Sequence, residues 1–112
     1  MQLLEERAVE EKKNTLTAIK DIRWYNEQHS IIIQGRIVKL TMKEYQLLFP
    51  LRQGKPITYA QLAMSVYGCS LDGKVRLMMD KHIDRIRGKL RGRGLYIYCV
   101  LNYGYVLLPE IW

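Results

Sequence analysis

The chain has 112 residues, 48% of them hydrophobic, and a formal charge of +7, a size that fits one domain around one modest core. No run approaches the ~18 uninterrupted apolar residues of a membrane span, and the opening MQLLEERAVEEKK lacks the apolar core of a secretory signal; no membrane partner and a cytoplasmic location are therefore expected. The two cysteines, Cys69 and Cys99, and the two histidines, His29 and His82, form no metal-ligand spacing and no disulfide framework, so no cofactor is expected and both thiols read as packed side chains.

Residues 1–21 read as a helix with acids early and bases later, which suits the helix dipole, but without one apolar stripe. This segment is expected to be a linker, a dimerisation element or a helix that docks a regulatory domain or partner. Residues 22–112 then form the folded domain. Over 22–40 the β-branched and aromatic residues Ile22, Trp24, Ile31 to Ile33, Ile37 and Val38 are interrupted at Asn26-Glu27-Gln28 and Gln34-Gly35, which predicts three short antiparallel strands.

Thr41-Met42-Lys43-Glu44 has the form of a capping box. The helix it opens carries Tyr45, Leu47, Leu48 and Leu51 and is bent or shortened by Pro50. A second helix starts at the N-cap Thr58, carries the apolar residues Leu62, Ala63, Val66 and Tyr67, and stops at Gly68. After a loop over 69–73, a third helix spans about 74–91. Its apolar residues Val75, Met78, Met79, Ile83, Ile86 and Leu90 share roughly one 140° sector at 100° per residue. Leu77, Lys81, Asp84, Arg85 and Gly88 take the opposite side. Leu95 to Leu108 reads as a β-hairpin turning at Asn102-Tyr103-Gly104.

The charge is concentrated. Residues 74–94 hold eight basic side chains (Lys74, Arg76, Lys81, Arg85, Arg87, Lys89, Arg91 and Arg93) against Asp80 and Asp84, a net +6. A basic helix presented by two others, with a hairpin directly after it, suits a DNA major groove with flanking backbone or minor groove beside it. The plainer reading of the same charge is a solvated helix face. No nucleophile–base pair, paired carboxylates or phosphate loop is visible, so an enzyme is not expected.

The order of these motifs resembles the C-terminal effector domain of OmpR/PhoB-type response regulators. The residues that carry the resemblance are Leu40-Thr41-x-x-Glu44-x-x-Leu47-Leu48, Leu62-x-x-x-Val66-Tyr67-Gly68, Asp80-x-His82-Ile83-x-x-Ile86-Arg87-x-x-Leu90 and Gly104-Tyr105. It implies an α+β winged helix-turn-helix, with N-terminal antiparallel strands, three helices and a C-terminal hairpin wing. It also implies sequence-selective binding of double-stranded DNA in transcriptional regulation, with two copies side by side on direct repeats.

By position, Arg85 matches a base-reading arginine, and Lys81 and Leu77 match groove-facing residues. Tyr67 matches an aromatic packed on a phosphate, and Arg87 a basic residue near the backbone. Lys74 and Arg76 extend the basic helix, and Tyr103 lies in the wing. Two departures stand out: Leu101 holds a wing position where relatives carry arginine, and Asp84 one where they carry a base. They motivate an alternative, a winged-helix protein-interaction module with weak or unspecific DNA binding. The tyrosines of the hairpin leave open a third use, stacking on single-stranded bases.

Overall fold

The computed structural model describes residues 21–110. The expectations for the N-terminal helix or linker therefore lie outside the described residues, apart from Asp21. Strands β1 (Arg23–Tyr25), β2 (Ser30–Ile33) and β3 (Arg36–Lys39) form an antiparallel sheet in that order. The alternation in β2 puts Ile31 and Ile33 in the core while Ile32 stays half-buried, as the period-2 pleat requires.

Helix α1 (Met42–Leu48) opens on the predicted box. The Glu44 amide donates to Thr41 Oγ1 at 3.2 Å, and the Thr41 amide donates to Glu44 Oε1 at 2.9 Å. Pro50 acts as expected: it cannot donate to an α-helical carbonyl, and the chain tightens into a 3₁₀ turn at Phe49–Leu51. Trp24 stands edge-on to Tyr45 and Phe49, at 5.9 and 5.4 Å between ring centroids, and ties the first sheet to α1.

One strand was not foreseen. β4 (Ile57–Thr58) is two residues long, too short for a periodicity to show, and pairs with the hairpin. α2 (Tyr59–Leu62) then starts on a second capping box, Thr58 with Gln61. It continues as a π turn over Ala63–Tyr67 and ends at Gly68 in the left-handed region. Lys43 Nζ donates to the Val66 carbonyl at 2.8 Å, satisfying one acceptor that this irregular end leaves open.

α3 (Gly73–Leu90) is N-capped by Asp72, whose Oδ1 accepts from the Val75 amide at 2.8 Å. Val75, Met79, Ile83, Ile86 and Leu90 are buried along it. Met78 is not, contrary to the core assignment from spacing. It is 43% exposed, because at the edge of the apolar sector it passes beside the core and not into it. Cys69 and Cys99 are likewise exposed and not packed, since one lies in the loop after Gly68 and the other on the outer side of a strand.

The hairpin is β5 (Leu95–Val100) and β6 (Gly104–Pro109). Its turn is Leu101-Asn102-Tyr103, one residue earlier than the expected Asn102-Tyr103-Gly104, with Asn102 taking the positive φ of 60°. Gly104 belongs to the strand instead. It faces β4 so closely that a Cβ there would sit 1.7 Å from the Ile57 carbonyl oxygen. The second sheet runs β4-β6-β5, and one core between the two sheets and three helices holds Leu47, Leu62, Met79, Ile83, Ile86 and Ile97. Among the described residues no helix is long and apolar enough to cross a membrane, and no cluster of His, Cys, Asp and Glu could hold a metal.

Candidate nucleic-acid interface

α3 is clamped along both flanks. On the hairpin side, Arg87 Nε donates to the Ile97 carbonyl at 2.9 Å, and its guanidinium pairs with Asp84 at 3.0 Å and lies over the Tyr96 ring. Tyr105 donates its hydroxyl proton to Asp80, whose Oδ1 also accepts from Arg76 Nε at 3.2 Å. The Arg76 guanidinium covers the face of Tyr59 at 3.6 Å from the ring centre. Burial, followed by the Asp80 hydrogen bond, pushes the Tyr105 hydroxyl pKa well up, so the phenol stays a donor across the physiological range.

The opposite flank meets the other helices. Lys89 Nζ reaches Glu44 Oε1 at 2.5 Å, and Glu44 is almost completely buried. Burial alone would raise the Glu44 pKa. The Lys89 hydrogen bond, the Thr41 amide and the Lys89 charge together outweigh it and hold the carboxyl below its ordinary range. Tyr67 and His82 stack with rings 6.0 Å apart, and the Tyr67 hydroxyl lies 2.7 Å from His82 Nδ1. Burial lifts the tyrosine to about 12. Burial and the charge of Arg85 lower the histidine. The phenol, held protonated, is placed to donate to Nδ1 of the imidazole.

Between the flanks lies an exposed strip of Lys74, Leu77, Lys81, Asp84, Arg85 and Gly88. Helical spacing places these residues opposite Met79 and Ile86. Among the described residues no hydrogen bond or ion pair engages Lys74, Lys81 or Arg85; Asp84 alone of the strip is paired, with Arg87. Leu77 is 58% exposed. Three uncompensated cations on a helix whose flanks are fixed make a rigid anion-facing surface about three turns long at 3.6 residues per turn.

Of the residues singled out from sequence, the structure brings Lys74, Leu77, Lys81 and Arg85 onto one face. Arg76 and Arg87 are instead engaged within the fold. Tyr67 sits at the edge of the strip through His82, and Tyr103 lies apart at the hairpin tip, 46% exposed. The internal partners of Arg76 and Arg87 were invisible in sequence because they come from β5, β6 and α2. Only the Arg76–Asp80 spacing of four and the Asp84–Arg87 spacing of three were readable as helical ion pairs.

A basic helix fixed between two helices and a hairpin wing defines the winged-helix class of transcription regulator. Residues 35–107 match the family described as transcriptional regulatory protein, C terminal, and the chain belongs to that family, the OmpR/PhoB type of effector domain. Solved structures agree. The chain is similar to the DNA-binding domain of the response regulator AdeR, solved with an intercistronic region, at 26% identity over 80% of this chain and 95% of that one, with a TM-score of 0.62. It is similar to the C-terminal DNA-binding domain of RstA from Klebsiella pneumoniae at 26% identity over 81% and 86%, TM-score 0.59. The DNA-binding domain of CpxR from E. coli shares the fold at 22% identity over 80% and 92%, TM-score 0.66. No curated protein matches in a sequence comparison.

Proposed function

We propose that the chain reads double-stranded DNA sequence-selectively in transcriptional control, with α3 as the recognition helix in the major groove. The observation that carries this reading is the strip of uncompensated Lys74, Lys81 and Arg85 on a helix whose other cations are held by the protein. Arg85 reads a base edge, since a guanidinium is matched to the paired acceptors of guanine. Lys81 and Lys74 reach a base edge or the phosphates, and Leu77 meets a thymine methyl. Tyr67 faces a phosphate, with His82 stacked behind its ring. Arg76 and Arg87 act mainly by fixing the helix, with their charge adding long-range attraction. Tyr103 belongs to the flanking contact of the wing.

Asp84, which motivated a protein-interaction module, is accounted for by its pairing with Arg87 and gives that alternative no support. The reading includes a cytoplasmic protein without catalytic activity, and two copies side by side on direct repeats. Its test is selection of bound duplexes from a randomised pool at near-physiological salt, with Arg85→Ala in parallel. The expected result is a clear motif that relaxes at one position in the variant. Binding that enriches no motif and vanishes with modest salt overturns it.

A further inference from the structure

Of the side chains on the exposed strip of α3, only Asp84 is acidic. It runs against the electrostatics of that face, because a negative charge turned toward a polyanion costs affinity. Asp80 is in a different position: it lies on the hairpin flank, held between Arg76 and Tyr105.

The pairing with Arg87 accounts for one oxygen of Asp84 only. Oδ1 accepts from Arg87 Nη1 at 3.0 Å, and Oδ2 has no partner among the described residues. The Asp84 side chain is 71% exposed, and an ion pair so open to solvent contributes little stability. Arg87 has other anchors, its Nε on the Ile97 carbonyl and the Tyr96 ring beneath its guanidinium. At about 100° per residue, Asp84 and Arg85 fall on opposite sides of the midline of the strip, with Leu77, Lys81 and Gly88 between them. Gly88, one turn beyond Asp84, has no side chain to screen the carboxylate, and the space around it is open.

We propose that Asp84 is a specificity residue: its free oxygen accepts from the N4 amino group of a cytosine, on the strand opposite the guanine read by Arg85 and within one base pair of it. The proposal rests on α3 being the recognition helix. In the major groove only cytosine N4 and adenine N6 donate. Adenine sets its N7 acceptor beside that donor and cytosine does not, so a carboxylate favours cytosine. Guanine and thymine present acceptors and no donor there, and repel it. The charge that lowers affinity for DNA in general thus discriminates against the wrong sequence.

The test repeats the duplex selection with Asp84→Ala and Asp84→Asn. Binding is then measured to the selected duplex with that cytosine unmodified or N4-methylated. The methyl group takes the place of the hydrogen that points into the groove and leaves the base pair formed. The unaltered chain is expected to enrich the cytosine, and to lose about fivefold in affinity when it is replaced or methylated, the low end of the range for one base pair. Asp84→Ala keeps the guanine, accepts any base at the cytosine position and is indifferent to the methyl group. Asp84→Asn moves the preference toward adenine, whose N6 and N7 a carboxamide matches. A purely structural role through Arg87 would move none of these base identities. A cytosine preference that persists in Asp84→Ala overturns the proposal and leaves the Arg85 reading standing. So does a methyl group that weakens both chains equally, or an Asp84→Ala chain that gains affinity for all sequences alike with no position relaxed. A selection that yields no motif removes the Arg85 reading and this one with it.

Discussion

The cations of α3 fall into two sets that differ in every respect except charge. Arg76, Arg87 and Lys89 each have a partner inside the fold: Asp80 and the face of Tyr59, Asp84 and the Ile97 carbonyl, and buried Glu44. Lys74, Lys81 and Arg85 have none among the described residues and stand on the exposed strip. The first set converts charge into geometry, by fixing the rotation of the helix between the wing and α1. The second carries its charge unpaired among the described residues, as the proposed DNA contact requires. The helix thus carries two kinds of cation on separate faces, and a basic-residue count cannot distinguish them. Substitutions on the two sets are expected to separate stability from binding.

The largest effect is expected at Glu44. Its carboxylate closes the α1 capping box and meets Lys89 while nearly fully buried. Glu44→Ala leaves the Thr41 amide without an acceptor and Lys89 without its counter-charge. Lys89 is 37% exposed and partly rehydrates, so the loss falls at the low end of the range for broken buried pairs, about 3 kcal/mol. Denaturant unfolding measures it. A loss below about 0.5 kcal/mol, the ordinary surface value, would show that this flank does not anchor the helix.

Arg87→Ala and Arg85→Ala form the sharpest pair. The first removes a charged hydrogen bond to the Ile97 carbonyl and is expected to cost about 1.5 kcal/mol of stability. Where folded, it keeps the selected DNA motif. The second is expected to change stability by less than about 0.5 kcal/mol and to lose about 1–3 kcal/mol of discrimination at one base pair. The reverse assignment, with Arg87→Ala erasing the motif at unchanged stability, would merge the two sets.

Gly88 sharpens the same comparison on a smaller scale. It lies in the last turns of α3, on the exposed strip, and a Cβ added there meets nothing within 4 Å. Nothing in the fold requires a glycine, whose backbone freedom costs a helix interior about 0.5–1 kcal/mol relative to alanine. Gly88→Ala is therefore expected to stabilise the protein by that amount. If the strip faces a DNA backbone at close range, the same methyl weakens DNA binding. A variant that is more stable and binds equally well would move the interface away from this end of the helix.

The sequence made the scaffold legible where periodicity and capping act over a few residues. The box at Thr41, the N-cap at Thr58, the break at Pro50 and the core stripe of α3 all lie within one turn or one helix of their cause. What was not legible depended on contacts between distant segments. β4 exists because Ile57 and Thr58 meet Tyr105 and Gly104, and two residues carry no pattern of their own. Met78 has the spacing of a core residue but sits where the helix surface leaves the core. The exposed face of α3 was readable from its charge. The division of that charge was not, because the Ile97 carbonyl and Glu44 come from elements before and after the helix.

The smallest expected effect concerns His82, between the two sets. Tyr67 from the π turn, Lys43 and Glu44 from α1 and Arg85 from α3 surround it. Burial first, then the Arg85 charge, with Lys43 adding to it and Glu44 opposing, keep its pKa below the usual 6.5. The unfolded chain therefore takes up this proton more readily than the folded one. The stabilisation is complete above about pH 6.5 and fades as the pH falls through the lower folded value. Glu44 is depressed in the same direction from 4.5, so a second loss follows below that pH. Unfolding midpoints should be level near pH 7.5, decline gently once the pH drops below 6.5, and fall further below 4.5. His82→Gln, whose amide oxygen can still accept from Tyr67, should remove the first decline and leave the second. A first decline that persists in His82→Gln would assign it to another group and leave His82 no part in holding α3 against the helices.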